Sequence, residues 1–341
     1  MAKKLKAAVI GCGAIAQHCH LKGYASHPQV SLTAAADVER ARLEEAKSLF
    51  KVKNVYLHYE EMLEKEALDL VSVCTPNYLH ADCVIRAAER GCHILCEKPM
   101  ALTLQDGERM IEAVRNNGVR MMLGFTHRFL AGNQLAKQLL DEGGIGDAFM
   151  IRVRFAHEGP EPDWAMSDWF TVPQKAGGGA CLDMGVHAFD LCQYYLGPIR
   201  TVQANIKTIV KDIQVDDNAV LLFEFESGGL GYVEAGWTSK PGFIGCEIYG
   251  TDGTLLVDYT RGLHLIRGSS SAAEAAKSGE SEKLDVEVTA GGWDVEIEHF
   301  VDCIRNKKPF LAGPADGLSA LRIALAGYES SKTGKKVVLE E

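Results

Sequence analysis

Lys98 stands in Glu97-Lys98-Pro99 at the end of an apolar run, and Asp183 and His187 lie four apart in Gly177-Gly178-Gly179-Ala180-Cys181-Leu182-Asp183-Met184-Gly185-Val186-His187. A lysine at a strand end serves as acid or base when burial and a neighbouring cation lower its pKa. A carboxylate and an imidazole at this spacing, where a helix begins, project from one face. The carboxylate then fixes the imidazole tautomer and raises its pKa, which suits proton exchange with an alcohol. The three glycines allow the backbone to pass close to a ligand. Another stretch, Thr75-Pro76-Asn77-Tyr78-Leu79-His80, puts polar groups directly after an apolar strand. Each has a plainer explanation: a solvated lysine, an aspartate capping a helix ahead of a buried histidine, and a proline turn with an asparagine cap.

The elements that must position these groups begin at the N-terminus. Ala7-Ala8-Val9-Ile10 runs into Gly11-Cys12-Gly13-Ala14-Ile15-Ala16, a strand ending on two glycines with a helical pattern behind them. This is the G-x-G-x-x-A dinucleotide fingerprint. Gly11 permits the sharp turn, Gly13 lets a pyrophosphate approach, and Ala16 allows close helix–strand packing. The opening turn at Ala14 and Ile15 presents N–H groups and the positive dipole end to phosphates. Asp37 closes the next strand at the position, about twenty residues on, where an acid holds a ribose hydroxyl. Asp37 favours NAD, because a carboxylate repels a 2′-phosphate; Arg40 and Arg42 just beyond it keep NADP as the alternative. The ends of the later strands bring Thr75, Pro76, Asn77, His80, Glu97 and Lys98 to the same cofactor edge.

Strand patterns at Leu5–Ile10, Val30–Ala36, Leu70–Cys74, His93–Cys96 and Arg120–Gly124 alternate with helical ones at Ile15–Ala25, Glu39–Phe50, Leu79–Arg90 and Leu104–Asn116. Continuous apolar strands separated by helices predict a doubly wound parallel sheet, the α/β Rossmann architecture. After Phe129 a helix at Gln134–Asp141 is followed by strand-like runs at Ala148–Phe155, Thr201–Val210, Ala219–Glu226, Leu230–Thr238, Gly245–Gly250 and Thr254–Asp258. Helices at Met184–Leu196, Val295–Arg305 and Gly317–Ser331 complete an α+β domain with an open, largely antiparallel sheet. Ser269–Ser281 reads as an exposed polar loop. With 341 residues two domains are expected, 1–126 and 127–341. A helix-free apolar sheet face in the second would need covering, which predicts homo-oligomerisation.

A net charge of −10 leaves no basic stripe for nucleic acid or an anionic membrane surface, and no apolar run reaches the ~20 residues of a membrane span. The basic Met1–Lys6 stretch lacks an apolar continuation and is not expected to be a signal peptide. The ten cysteines are dispersed through predicted elements, as buried thiols of a reducing, cytoplasmic compartment are. Cys92-His93-Ile94-Leu95-Cys96 sends its thiols and imidazole to opposite faces of one strand, so no metal is expected.

Taken in order, G-x-G-x-x-A, Thr-Pro-Asn-x-x-His, Glu-Lys-Pro and Asp-x-x-x-His resemble the glucose–fructose oxidoreductase / inositol dehydrogenase / rhizopine catabolism (Gfo/Idh/MocA) family. The likeness extends through Gly124-Phe125-Thr126-His127-Arg128-Phe129 and Gly313-Pro314-Ala315-Asp316-Gly317. It implies NAD(P)-dependent oxidation or reduction of sugars and cyclitols, and a C-terminal sheet used for dimer or tetramer contacts. Lys98, Asp183 and His187 match the family's catalytic lysine, aspartate and histidine; the hydroxyl proton goes to Lys98 or to His187. Substrate contacts are expected from Arg128, His157, Glu158, Trp164 and Trp169 beside Asp183 and His187, with loop packing as the alternative for each. The absence of a Lys/Arg cluster there points to a neutral sugar, glycoside or cyclitol rather than a sugar phosphate. His127 matches no clear family position and receives no role. Two other readings use the same fold: a sugar sensor that binds cofactor without turnover, and a reductase of a dihydrodiol or imine. A sensor is expected to lose the lysine or the Asp/His pair, and this chain keeps all three.

Overall fold

Strand β1 (Leu5–Ile10) buries its last four residues, Ala7 to Ile10, without alternation, because both faces of its sheet are covered. A computed structural model describes residues 3–160, 167–267 and 281–339. Around β1 lie β2 (Val30–Ala36), β3 (Asn54–Tyr56), β4 (Leu70–Val73), β5 (His93–Cys96) and β6 (Met121–Leu123). All pair in parallel, in the order β3-β2-β1-β4-β5-β6. The order reverses between β1 and β4, where the ligand crevice of such sheets opens at the carboxyl ends. Edge strand β3 has no apolar run to announce it: its Asn54 is exposed and Val55 and Tyr56 are half-buried.

The helix after the glycine loop departs from the expected α-helix over Ile15–Ala25. Residues Ala16–Leu21 wind as a π-helix, and Lys22–Ser26 return to α geometry. The wider turn buries three consecutive residues, Cys19, His20 and Leu21, and carries the His20 imidazole inward. Helix Leu104–Asn116 starts where the Thr103 hydroxyl accepts the Asp106 N–H at 3.1 Å.

The second sheet is built, among the described residues, from β7 (Ala148–Ala156), β8 (Ile199–Lys207), β9 (Asn218–Phe225), β10 (Leu230–Gly236), β11 (Phe243–Gly250), β12 (Gly253–Asp258), β13 (Gly262–Arg267), β14 (Ser281–Lys283) and β15 (Val337–Val338). Its order is β14-β13-β12-β11-β7-β10-β9-β8-β15, with β7 and β10 parallel and the other pairs antiparallel. Ile151, Val153, Phe155, Leu221, Phe223, Val233 and Ile248 point inward and are buried. Helix Gly185–Leu196 packs on this face, with Phe189 edge-on to Phe223 at 5.7 Å. The polar stretch expected as a loop lies outside the described residues over 269–280, and Ser281 opens β14.

The chain forms two compact units. The first holds Met1–Phe125, Glu161–Gly177 and Trp293–Leu321; the second holds Thr126–Pro160, Gly178–Gly292 and Arg322–Glu341. The long helix Pro314–Thr333 contributes to both. All ten cysteines are buried free thiols, and no helix among the described residues is long and apolar enough to cross a membrane.

Candidate active site

In the first unit Gly11 adopts φ +87°, and a Cβ there would lie 2.6 Å from the Cys74 carbonyl oxygen. The turn between β1 and the helix thus runs against the end of β4, and only glycine fits. At Gly13 a Cβ would meet nothing within 4 Å. No packing within the protein demands glycine there, and the open space above the helix start is what a pyrophosphate fills. Ala14 and Ile15 begin the helix, and Ala16 is wholly buried against the sheet.

Asp37 receives the Cys12 N–H on one carboxylate oxygen at 2.7 Å and the Glu39 N–H on the other at 2.8 Å. The carboxylate therefore pins the glycine loop from the end of β2. Arg40 is exposed at the start of the helix Arg40–Phe50, whereas the Arg42 guanidinium lies 3.8 Å from Asp37. The nearer cation is thus paired with Asp37.

At the end of β4, Thr75 and Pro76 are half-buried, and the buried Asn77 amide donates to the Ala176 carbonyl at 2.8 Å. His80 is fully buried, with Nε2 2.9 Å from the Thr75 carbonyl and Nδ1 2.8 Å from the Pro99 carbonyl. It ties the Thr-Pro-Asn turn to the Glu-Lys-Pro turn. Burial pushes this imidazole toward its neutral form, against the two carbonyl bonds that favour a charge.

Glu97 ends β5 with its carboxylate inside the unit, on His20 Nε2 at 2.9 Å and the Lys98 N–H at 3.2 Å. Behind His20 stand the Ser72 hydroxyl at 2.9 Å and then that of Tyr24 at 2.8 Å. Burial raises the Glu97 carboxyl, but the His20 hydrogen bond, the His20 and Lys98 charges and the Lys98 N–H outweigh it and hold it below its ordinary value. Lys98 follows, half-buried, at the carboxyl end of β5. Sequence spacing gave no sign of His20, Ser72 or Tyr24, because the π-helical turn is what brings the histidine inward.

In the second unit Gly178 and Gly179 have an internal cause. A Cβ on Gly178 would lie 2.1 Å from the Tyr328 hydroxyl, and one on Gly179 would lie 1.8 Å from the Asp216 carbonyl oxygen. Asp216 holds this segment by accepting the Gly179 N–H at 2.8 Å, the Cys181 N–H at 2.7 Å and the Tyr328 hydroxyl at 2.7 Å. Gly178 and Gly179 thus make room for the protein's own Tyr328 and Asp216, a packing cause that stands beside the ligand approach expected from sequence. Asp183 closes the short helix Ala180–Asp183 and accepts the Trp237 indole N–H at 3.2 Å. His187 lies in the first turn of helix Gly185–Leu196 and is buried.

Arg128 grips Asp190 of the same helix in a buried fork, Nε at 2.8 Å and Nη2 at 2.6 Å. His157 accepts the Gly159 N–H on Nδ1 at 2.8 Å, which leaves the proton on Nε2, 3.0 Å from the Met184 sulfur between Asp183 and Gly185. The exposed Glu158 lies 3.7 Å from Lys240. Trp169, half-buried and stacked on Phe170 at 3.8 Å, clusters with the first unit. Trp164 lies outside the described residues. Asp190, Asp216 and Trp237 belong to no short motif, and only their partners in space reveal them.

Two family models match the chain. The oxidoreductase family with an NAD-binding Rossmann fold covers residues 5–125, and the GFO/IDH/MocA C-terminal domain covers residues 133–256. The chain belongs to the Gfo/Idh/MocA oxidoreductases. Within the family it is 27% identical over 348 residues to the scyllo-inositol 2-dehydrogenase (NAD(+)) of Bacillus subtilis, covering 100% of this chain and 98% of that one. It is 27% identical over 344 residues to the myo-inositol 2-dehydrogenase of Thermotoga maritima, covering 99% of each. Among solved structures, levoglucosan dehydrogenase in complex with NADH and levoglucosan superposes with a TM-score of 0.87 at 26% identity, covering 99% of this chain and 100% of that one. The first unit of this Gfo/Idh/MocA chain is thus an NAD-binding Rossmann fold, and the residues present fit that nucleotide: open space at Gly13, an acid at Asp37 and polar turns after β4 and β5.

Proposed function

We propose that this protein oxidises a ring hydroxyl of a neutral sugar, glycoside or cyclitol with NAD. The observation that carries this is the retention of Lys98, Asp183 and His187 together with an Asp37 that favours NAD, in a chain similar to two inositol dehydrogenases and a levoglucosan dehydrogenase. Bound NAD supplies the electrophilic ring that receives the hydride. Lys98 hydrogen-bonds the reacting oxygen, and Asp183 orients His187. The hydroxyl proton leaves to His187 or to Lys98 as the carbon-bound hydrogen departs. Trp237, by donating to Asp183, fixes which way that carboxylate faces. Arg128 serves by anchoring helix Gly185–Leu196 through Asp190, and His157 and Trp169 remain candidates for the sugar itself.

The test is reduced-nucleotide formation with NAD and a panel of inositols, aldoses and glycosides, comparing wild type with Lys98→Ala and His187→Ala. Loss of the group that takes the proton lowers kcat roughly 10²–10⁴-fold. Full turnover in both variants would refute the assignment; tight NAD binding without turnover on any member would favour the sensor.

We propose further that the protein is cytoplasmic, supported by ten free thiols, and that it self-associates through the outer face of its second sheet. On that face Val220, Leu222 and Leu230 are exposed beside Tyr232, with Arg152 on Glu247 and Arg154 on Glu234, both at 2.9 Å. The mixture of apolar side chains and fixed ion pairs suits a protein partner better than water. Light scattering at micromolar concentration is expected to give a dimer or tetramer; a monomer mass would reject the interface.

A further inference from the structure

Four rings meet in the second unit: His127, Phe155, His187 and Tyr259. The imidazoles of His127 and His187 meet edge to face, centroids 4.5 Å and planes 73° apart. Phe155 lies against both, 4.8 Å from His127 and 6.4 Å from His187. On its other side His127 Nδ1 is 2.8 Å from the Tyr259 hydroxyl.

The hydrogens of this cluster follow from its partners. The buried Asn133 amide nitrogen donates to the His127 carbonyl at 2.7 Å and to the Tyr259 oxygen at 2.8 Å. A carbonyl can only accept, so the amide orientation is unambiguous, and Oδ1 takes the Tyr195 hydroxyl at 2.8 Å. Burial raises the Tyr259 phenol, which keeps its hydrogen. Its oxygen already accepts from Asn133, so that hydrogen is directed at His127 Nδ1. His127 is thereby neutral, with its proton on Nε2, in a plane set by a chain running Tyr195, Asn133, Tyr259, His127.

We propose that His127 is a positioning residue: it holds the His187 imidazole against rotation, so that His187 meets the substrate hydroxyl in a single orientation. This rests on the assignment of His187 to the proton relay. Catalytic geometry is sensitive to sub-ångström placement, and a ring that meets the hydrogen-bonded His127 edge to face, with Phe155 packed beside both, satisfies that requirement.

Tyr259→Phe removes one oxygen and keeps the ring cluster; His127→Phe is the second variant should the first not fold. In ¹H–¹⁵N ring spectra of the protein, with His187 assigned through His187→Gln, Tyr259→Phe is expected to move the signals of both His127 and His187 and to leave those of His20 and His80 in place. In turnover of the polyol that wild type accepts, kcat is expected to fall about tenfold, with the polyol KM and the NAD Kd held within about twofold. Movement of the His127 signals without those of His187 would overturn the proposal. So would wild-type kcat in Tyr259→Phe when His187→Gln has lost turnover. Full turnover in His187→Gln with the ring signals still coupled would instead remove the relay assignment.

Discussion

A methyl group added at Gly11 would press on the Cys74 carbonyl at 2.6 Å from a backbone already at φ +87°, whereas one added at Gly13 would touch no protein atom within 4 Å. Gly11→Ala is therefore expected to destabilise the first unit by about 1–2 kcal/mol from the left-handed backbone alone, and by more from the clash. Gly13→Ala, at a position outside the left-handed region, is expected to leave stability unchanged or raise it by roughly 0.4–1 kcal/mol while NAD affinity falls about tenfold or more. Denaturant unfolding and NAD titration of the two variants separate the effects; matched loss of stability would contradict the division. Residue types at the fingerprint were legible because each glycine answers to backbone chemistry. The packing against Gly178 and Gly179 was not, since Asp216 and Tyr328 are distant in sequence and meet them only in the fold. Arg128 shows the same limit, because nothing in its junction motif points to the Asp190 carboxylate that lies in its fork.

Several histidines of the first unit act as splices between elements. His93 Nδ1 accepts the Arg120 N–H at 3.0 Å at the entry to β6, and His299 Nε2 accepts the Leu311 N–H at 3.0 Å beyond helix Trp293–Asn306. His80 joins the Thr-Pro-Asn turn to the turn that carries Lys98. Burial is the first cause holding all three below the ordinary histidine value of 6.5. The unfolded chain takes up these protons first, so the stability they contribute is complete above that value and is lost as pH falls below it. Glu97, held below its ordinary 4.5, adds a second loss at lower pH. The melting temperature is expected to be lower at about pH 5.5 than at about pH 7.5, and an equal or higher value in acid would contradict these roles. Long periodic elements such as Leu104–Asn116 and Val30–Ala36 could be read from the chain because their apolar spacing is set by the face they bury. The edge strands Asn54–Tyr56, Ser281–Lys283 and Val337–Val338 could not: two or three residues with an open side carry no period.

For the molecule as a whole, the proposed function draws its residues from both units. Under that proposal the first holds the nucleotide fold and Lys98, and the second holds Asp183, His187 and the ring cluster of which His187 is part. Later segments join the first unit, 167–177 through Asn77 on Ala176 and Trp293–Leu321 through Arg120 on the Cys303 carbonyl at 2.7 Å. Such returns of the chain leave no local pattern, while the parallel sheet they support was plain from its alternating strands and helices. The most direct measurement offers NAD together with inositols and sugars carrying deuterium on their ring carbons, and analyses the nucleotide by mass spectrometry and NMR. Hydride transfer predicts reduced nucleotide bearing the substrate's deuterium at C4. Reduced nucleotide without deuterium, or none from any substrate while NAD is bound, would contradict the assigned oxidation.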